Sequence, residues 1–165
     1  GYTENKLGRP FVGQAGKLLE KVMVENNLKR EEVYISNVVH FRPPENRDPS
    51  PDEIAAFQPY VDKEIEIIDP PVIVTLGRFS MNKFLPGVKI SQVHGKPTLI
   101  EWRGKKIAVV PMYHPAAALR ASAIMQQFRE DFKIIPRVVI RAKAVREKEA
   151  ELNKPKPSQL GLQDE

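Results

Sequence analysis

Asp69-Pro70-Pro71-Val72-Ile73-Val74-Thr75-Leu76-Gly77-Arg78-Phe79-Ser80 is the stretch that decides the fold. Paired prolines end any helix before them, because proline donates no backbone hydrogen bond and pushes its predecessor out of helical geometry. Val72–Leu76 is short, apolar and β-branched without alternation, the pattern of a strand buried on both faces. Gly77 then opens a short helix to about Leu85, where Pro86-Gly87 breaks it. A strand, a glycine and a helix in succession form the unit of α/β sheets.

The same punctuation continues outward. Upstream, Ser50 and Glu53 form a capping box around Pro51, which predicts a helix over Pro51–Ile68. Four prolines between Arg42 and Pro51 make that segment a long, stiff loop. Val33–Val39 reads as a further buried strand ending at Asn37–His40. Gln14–Asn27 reads as an amphipathic helix with Leu18, Leu19, Val22 and Met23 on one face. Downstream, Thr98–Trp102 and Lys106–Val110 flank Arg103-Gly104 as a hairpin. Pro111–Pro115 is expected as a loop, and Ala116–Ile134 as one or two helices. The alternation predicts an α/β fold, a three-layer α/β/α domain with a central, mostly parallel sheet. From Arg141 large apolar residues become scarce, so a charged helical and disordered tail over 137–165 is expected after a domain over 1–136.

With 165 residues, 41% hydrophobic and 28% charged, the chain suits one globular domain. Its longest uncharged stretches, such as Ile107–Leu119, are too short to span a bilayer. There is no cysteine, which excludes disulfides, a thiolate nucleophile and any metal site built on sulfur. That usage suits a reducing, cytoplasmic setting. The opening Gly1-Tyr2-Thr3 shows no charged-then-apolar leader, so no secretory signal is expected. The net charge of +5 is uneven: residues 51–77 carry one Lys against six Asp/Glu, whereas residues 78–120 carry eight Lys/Arg against one Glu. Such a segment is either the footprint of a polyanion or a scattered solvated face, and charge alone leaves both open.

Ligands of open α/β sheets bind beyond the carboxyl ends of strands, which nominates three places. Gly8-Arg9-Pro10-Phe11-Val12-Gly13-Gln14-Ala15-Gly16 is a glycine-rich loop entering a helix, either a simple turn or a place where phosphate meets backbone N–H groups. It is neither a Walker loop nor a dinucleotide fingerprint, and its Phe11 is either a core plug or a stacking platform. Asn37, at the expected strand end, either caps a loop or presents an amide donor and acceptor to a nucleobase edge. His114, between a strand end and Pro115, is placed to act as acid, base or hydrogen-bond donor, whereas His40 and His94 read as surface or loop residues. No histidine pair has metal-ligand spacing and no GxSxG elbow exists.

In combination these segments are specific. Gly8–Leu19 (GRPFVGQAGKLL), Val33–Ile54 (VYISNVVHFRPPENRDPSPDEI), Val72–Ser80 (VIVTLGRFS) and Tyr113–Arg120 (YHPAAALR) follow in order, over about residues 1–135, a known pattern. It resembles that of the family 4 uracil-DNA glycosylases. The resemblance implies an enzyme of DNA repair that extrudes deoxyuridine and hydrolyses the bond between uracil and deoxyribose. It further implies that Phe11 stacks on the flipped base, that Asn37 pairs with the uracil edge and rejects cytosine, and that His114 donates to uracil O2. Phosphate contacts would come from Arg42, Arg47, Lys96 and Arg120.

The chain departs from the family pattern at three points. The family's leading acidic turn and first strand would precede Gly1, while Glu4-Asn5 falls where the family shows Glu-Asp. Two of the four cysteines that hold the family's iron–sulfur cluster would stand at Phe41 and Phe57, so a cluster-free variant is expected in which those two rings touch. The family's Arg-Gly reads His94-Gly95-Lys96, and the basic insert of a covalently trapping relative is missing. A glycosylase with altered base preference, and a member that binds uracil or DNA without cleaving, remain alternatives. The partner implied is uracil-containing DNA, engaged by a monomer without any membrane. Gln159-Leu160-Gly161-Leu162 faintly resembles a peptide that binds the sliding clamp, against the simpler reading of a plain tail.

Overall fold

The computed structural model describes residues 2–41 and 43–154. In chain order its regular elements are α1 (Tyr2–Leu7), α2 (Gln14–Glu25), α3 (Pro51–Ile68), β1 (Val72–Leu76), α4 (Arg78–Phe84), α5 (Ile90–Val93), β2 (Thr98–Trp102), β3 (Lys105–Met112), α6 (Pro115–Arg120), α7 (Ser122–Phe132) and α8 (Ile135–Leu152). α3 has the expected bounds for the expected reason. Ser50 Oγ accepts from the Glu53 N–H at 3.2 Å while the Ser50 N–H donates to Glu53 Oε2 at 2.7 Å. Asp69, in left-handed geometry at φ 48°, closes the other end by donating its N–H to the Ile65 carbonyl.

The sheet of the described residues has the order β1-β3-β2. β1 and β3 run parallel, from Val72 opposite Ala108 to Leu76 opposite Met112. β2 and β3 form the predicted antiparallel hairpin, with Arg103 (φ 48°) and Gly104 (φ 78°) as its two turn residues. Positive φ at both positions matches the twist of the flanking strands. β3 is central and buried from Ile107 to Met112. Val110 and Met112 join a core with Leu18, Leu19, Val22 and Met23 of α2, Phe128 and Phe132 of α7 and Ile135 of α8. Successive strand residues face opposite sides, so Ile107 and Val109 belong to the other face. On that side Met81 of α4 is buried and Ile107 lines a space with Ile65 of α3. The three-layer α/β arrangement follows, although only the β1–β3 pairing is parallel.

Three local expectations are corrected. Val33–Val39 is not a strand: a single 3₁₀ turn, Arg30–Glu32, leads into irregular chain in which Val33, Tyr34 and Asn37 are exposed. Val33 itself is extended (φ −123°, ψ 147°). Extended chain becomes a strand only where a neighbour takes its N–H and C=O groups, and no strand among the described residues does so. Instead Glu64 of α3 accepts from Tyr34 Oη at 3.1 Å and Ser36 Oγ at 2.6 Å, fastening the segment by side chains.

Second, Pro111 lies inside β3 rather than in a loop. Its carbonyl accepts from Gly95 N at 2.8 Å, on the side beyond the last β2 partner, Thr98 opposite Val109. The missing proline N–H points the same way and no ladder bond is lost. Third, the charged C-terminal stretch is helical as expected, but the helix that holds it, α8, is tied to the body of the domain rather than trailing as a tail. Arg146 donates to the Asp69 carbonyl at 2.9 Å, to Asp69 Oδ1 at 2.8 Å and to the Pro70 carbonyl at 2.9 Å. Those acceptors end α3, and Arg146 also donates to the Lys106 carbonyl of β3 at 3.4 Å, so one guanidinium joins helix, loop and strand. Residues 155–165, with the expected disordered tail and clamp-like segment, lie outside the described residues.

Phe128 is fully buried, whereas Leu119 is 47% exposed. Phe128→Ala is expected to cost about 3–5 kcal/mol of unfolding free energy, and Leu119→Ala less than about 0.5 kcal/mol, in urea titrations followed by circular dichroism.

Candidate active site

The Phe11 loop is built against its own preferences. Phe11 has φ 51°, a left-handed conformation that costs a bulky residue about 1–2 kcal/mol. Three devices hold it there. Glu4 Oε1 accepts from the N–H groups of Val12 at 3.1 Å and Gly13 at 2.8 Å. Arg30 donates to the carbonyls of Phe11 at 3.2 Å and Pro10 at 3.1 Å. Gly16 leaves room for the Phe11 carbonyl, which any Cβ at that position would strike. Burial alone would raise the Glu4 pKa, but the Gly13 N–H and its neighbours outweigh it and hold the carboxyl below its ordinary value. Glu4 is therefore an anion at the start of α2, where the helix field favours one. Two N–H groups of the loop are thereby taken by a side chain of the protein itself, and the loop's ordered feature is the Phe11 ring.

Phe11 is half-buried against the core, and its ring lies 5.5 Å from that of His114, tilted by 30°. His114 caps α6 by accepting the Ala116 N–H on Nδ1 at 3.0 Å, with Pro115 at the first helical position. Gly77, at φ 87°, allows this approach, since a Cβ there would come within 3.2 Å of His114 Cβ. Burial foremost, and then positive charge including Arg120, lower the His114 pKa, with Glu4 pulling the other way. A lowered pKa and an accepting Nδ1 define a neutral ring with its proton on Nε2, a hydrogen-bond donor.

The other expected residues lie around this pair. Asn37 is exposed, and among the described residues no hydrogen bond or ring contact ties it to Phe11 or His114. Ser36 and Tyr34 hold its segment from α3, and Arg30 sits in the 3₁₀ turn just upstream of it. Arg47 is gripped by Glu53 through bonds of 2.8 and 2.6 Å, and this pair pulls the Glu53 carboxyl down to about 2. Lys96 and Arg120 are exposed, and Lys96 Nζ donates to the Gln92 carbonyl at 2.8 Å. Arg42 lies outside the described residues.

Phe41 and Phe57 do touch, with ring centroids 5.5 Å apart, and Phe57 also meets His40 at 5.3 Å and Tyr60 at 6.2 Å. Phenyl rings offer no ligand lone pair, so the two positions do not fit an iron–sulfur cluster. Among the described residues no group of three His, Cys, Asp or Glu could hold a metal ion, and no helix is long and apolar enough to cross a membrane.

Sequence reasoning missed Arg30, and although it placed His94 in a loop, as the structure does, it missed what that histidine touches. His94 is half-buried, its Nδ1 lies 2.6 Å from Asp131 Oδ2, and its ring lies 4.6 Å from that of Tyr113. Asp131 is 37 residues downstream on another helix, and Arg30 reaches carbonyls 19 and 20 residues away, so no local signal could reveal either contact.

Beyond this strand-end geometry, residues 1–133 match the model of the uracil DNA glycosylase superfamily, and the chain belongs to that family. It is 46% identical over 149 residues to the type-4 uracil-DNA glycosylase of Sulfurisphaera tokodaii, covering 87% of this chain and 68% of the relative. The type-4 uracil-DNA glycosylase of Archaeoglobus fulgidus is 45% identical over 140 residues, 82% of this chain and 70% of the relative. That of Thermotoga maritima is 48% identical over 122 residues, 73% of this chain and 62% of the relative.

The lowered His114 pKa has a thermodynamic consequence. Just below the ordinary value of 6.5 the unfolded chain takes up a proton that the folded chain refuses, so stability falls as pH drops through that value. In His114→Gln this contribution is gone, and the loss of unfolding free energy between about pH 8 and about pH 5 becomes smaller than in the unaltered chain.

Proposed function

We propose that this chain removes uracil from DNA by hydrolysing the N-glycosidic bond of an extruded deoxyuridine. The observation that carries the reading is the Phe11–His114 pair, a stacking ring 5.5 Å from a neutral histidine whose Nε2–H has no partner among the described residues. Family membership and relatives named type-4 uracil-DNA glycosylase support this DNA-repair hydrolase reading.

Each residue has a distinct task. Extrusion costs a few kcal/mol, which stacking of the base on Phe11 partly offsets. Asn37, exposed and therefore reachable, pairs with the uracil edge, where cytosine would present the opposite donor and acceptor. As the bond between C1′ and N1 breaks, the electron pair stays with the base and charge grows on its carbonyl oxygens. His114 Nε2–H donates to O2 and stabilises that charge, while the sugar passes through an oxocarbenium-like state that water captures. A preplaced neutral donor suits this step because it need not reorganise when the charge develops. Arg47, Lys96, Arg120 and Arg42 contact phosphates, with Arg47 sharing its guanidinium with Glu53. The Phe41–Phe57 contact joins the loop to α3 where the family's iron–sulfur cluster would, which favours a cluster-free enzyme. The enzyme acts as a monomer on uracil-containing DNA, in the cytoplasm as the cysteine usage suggests.

On a uracil-containing oligonucleotide, His114→Ala is expected to lower the single-turnover rate about 10²- to 10³-fold, the cost of removing one such donor. Asn37→Asp is expected to move preference from uracil toward cytosine. Binding without release of free base would refute the assignment. Lys96→Ala and Arg120→Ala should each reduce the slope of log K against log salt by about 0.9 on duplex DNA, measured by fluorescence anisotropy.

A further inference from the structure

His94-Gly95-Lys96 does more than present a lysine. Asp131 of α7 lies 2.6 Å from His94 Nδ1, and both side chains are largely buried. The His94 ring rests against Tyr113 at 4.6 Å and 35°. Gly95 donates its N–H to the Pro111 carbonyl at 2.8 Å, and it must be glycine because a Cβ there would strike Asp131. The turn is therefore fastened at three points, to α7, to the end of β3 and to Tyr113.

Tyr113 connects this turn to the chemistry. β3 ends at Met112, whose carbonyl is held by the Gly77 N–H at 2.9 Å, and the next fixed group is His114, through its bond to the Ala116 N–H. Tyr113 lies between those anchors, its ring packed against the core on one side and against the His94 ring on another. Lys96 lies two residues beyond His94 on the same turn.

We infer that His94 and Asp131 form a positioning pair: Asp131 fixes the His94 ring, that ring sets Tyr113, and Tyr113 sets the direction in which His114 presents its donor. The pair thereby joins the turn that carries Lys96 to the residue that acts on the base. His94 and Asp131 touch neither base nor phosphate. The inference rests on the role given to His114 under the proposed function, but its geometrical part stands on its own.

Two measurements on the full chain test it. In single-turnover assays His94→Ala and Asp131→Ala are expected to slow uracil release by about 10- to 100-fold, the scale set by small misplacements of a reacting group. Affinity for abasic-site DNA should stay within about twofold, and the double variant should be no slower than His94→Ala, because residues that act through one path are not additive. An unchanged rate, a rate that falls in step with affinity, or an additive double variant overturns the inference. The second measurement needs no activity: in spectra of the histidine rings, the His114 resonances should move in His94→Ala while core methyls of Val110 and Ile135 hold their positions. Unmoved His114 resonances overturn the inference as well. If His94→Ala fails to fold, Asp131→Asn, which keeps shape and loses charge, takes its place in both. Should the unaltered chain release no uracil, the proposed function fails and the ring resonances decide the positioning role alone.

Discussion

Five opposed residue pairs, from Val72 and Ala108 to Leu76 and Met112, hold β1 parallel to β3, and one more bond continues past them from the Gly77 N–H to the Met112 carbonyl. Parallel pairing brings the same ends of two strands together, so the turn at Gly77 and the turn at His114 emerge side by side. A side chain at 77 would be strained at φ 87° and would press its Cβ to 3.2 Å from His114 Cβ, so glycine suits that corner. The remaining parts are arranged against this corner: α2 and α7 cover one face of the sheet, and the Phe11 loop delivers its ring to the histidine.

The loop and the histidine are stabilised by opposite means. Phe11 sits in a conformation that it would not choose, and an ionised glutamate, an arginine and a glycine compel it. His114 sits in a comfortable conformation at φ −68°, but burial denies it the charge that it would carry in water at mildly acid pH. One residue stores backbone strain and the other electrostatic strain, which is where folding energy is commonly set aside for function. The constraints on Phe11 come from Glu4 of α1, Arg30 of the 3₁₀ turn and Gly16 of α2, while His114 is held by the burial of its ring.

How much of this was legible in the sequence depends on the range over which each feature is decided. α3 could be read with its bounds, since Ser50, Pro51, Glu53 and Pro70 lie within or beside it. β1 could be read because prolines and a glycine bracket it, and Arg103-Gly104 announced its hairpin. Phe11 and His114 stood out through their neighbours, and the Phe41–Phe57 contact through two substitutions of one kind. Val33–Val39 misled because apolar, β-branched composition shows what a strand can be made of and not whether a partner stands beside it. The Asp131–His94 pair, the Arg30 grip and the Arg146 clamp were invisible because each joins segments that only tertiary structure brings together.

Pro111 carries a consequence for how this protein meets its neighbours in solution. A sheet whose middle strand outruns its hairpin partner exposes a short open edge, the kind of edge to which another extended chain can add and begin an aggregate. Here that edge has a proline where the next donor would be, and its remaining acceptor is spent on Gly95. No foreign strand can lengthen β2 along it. The residue that looked like the end of a strand is thus a guard on that short edge, and the 94–96 turn that it admits covers it.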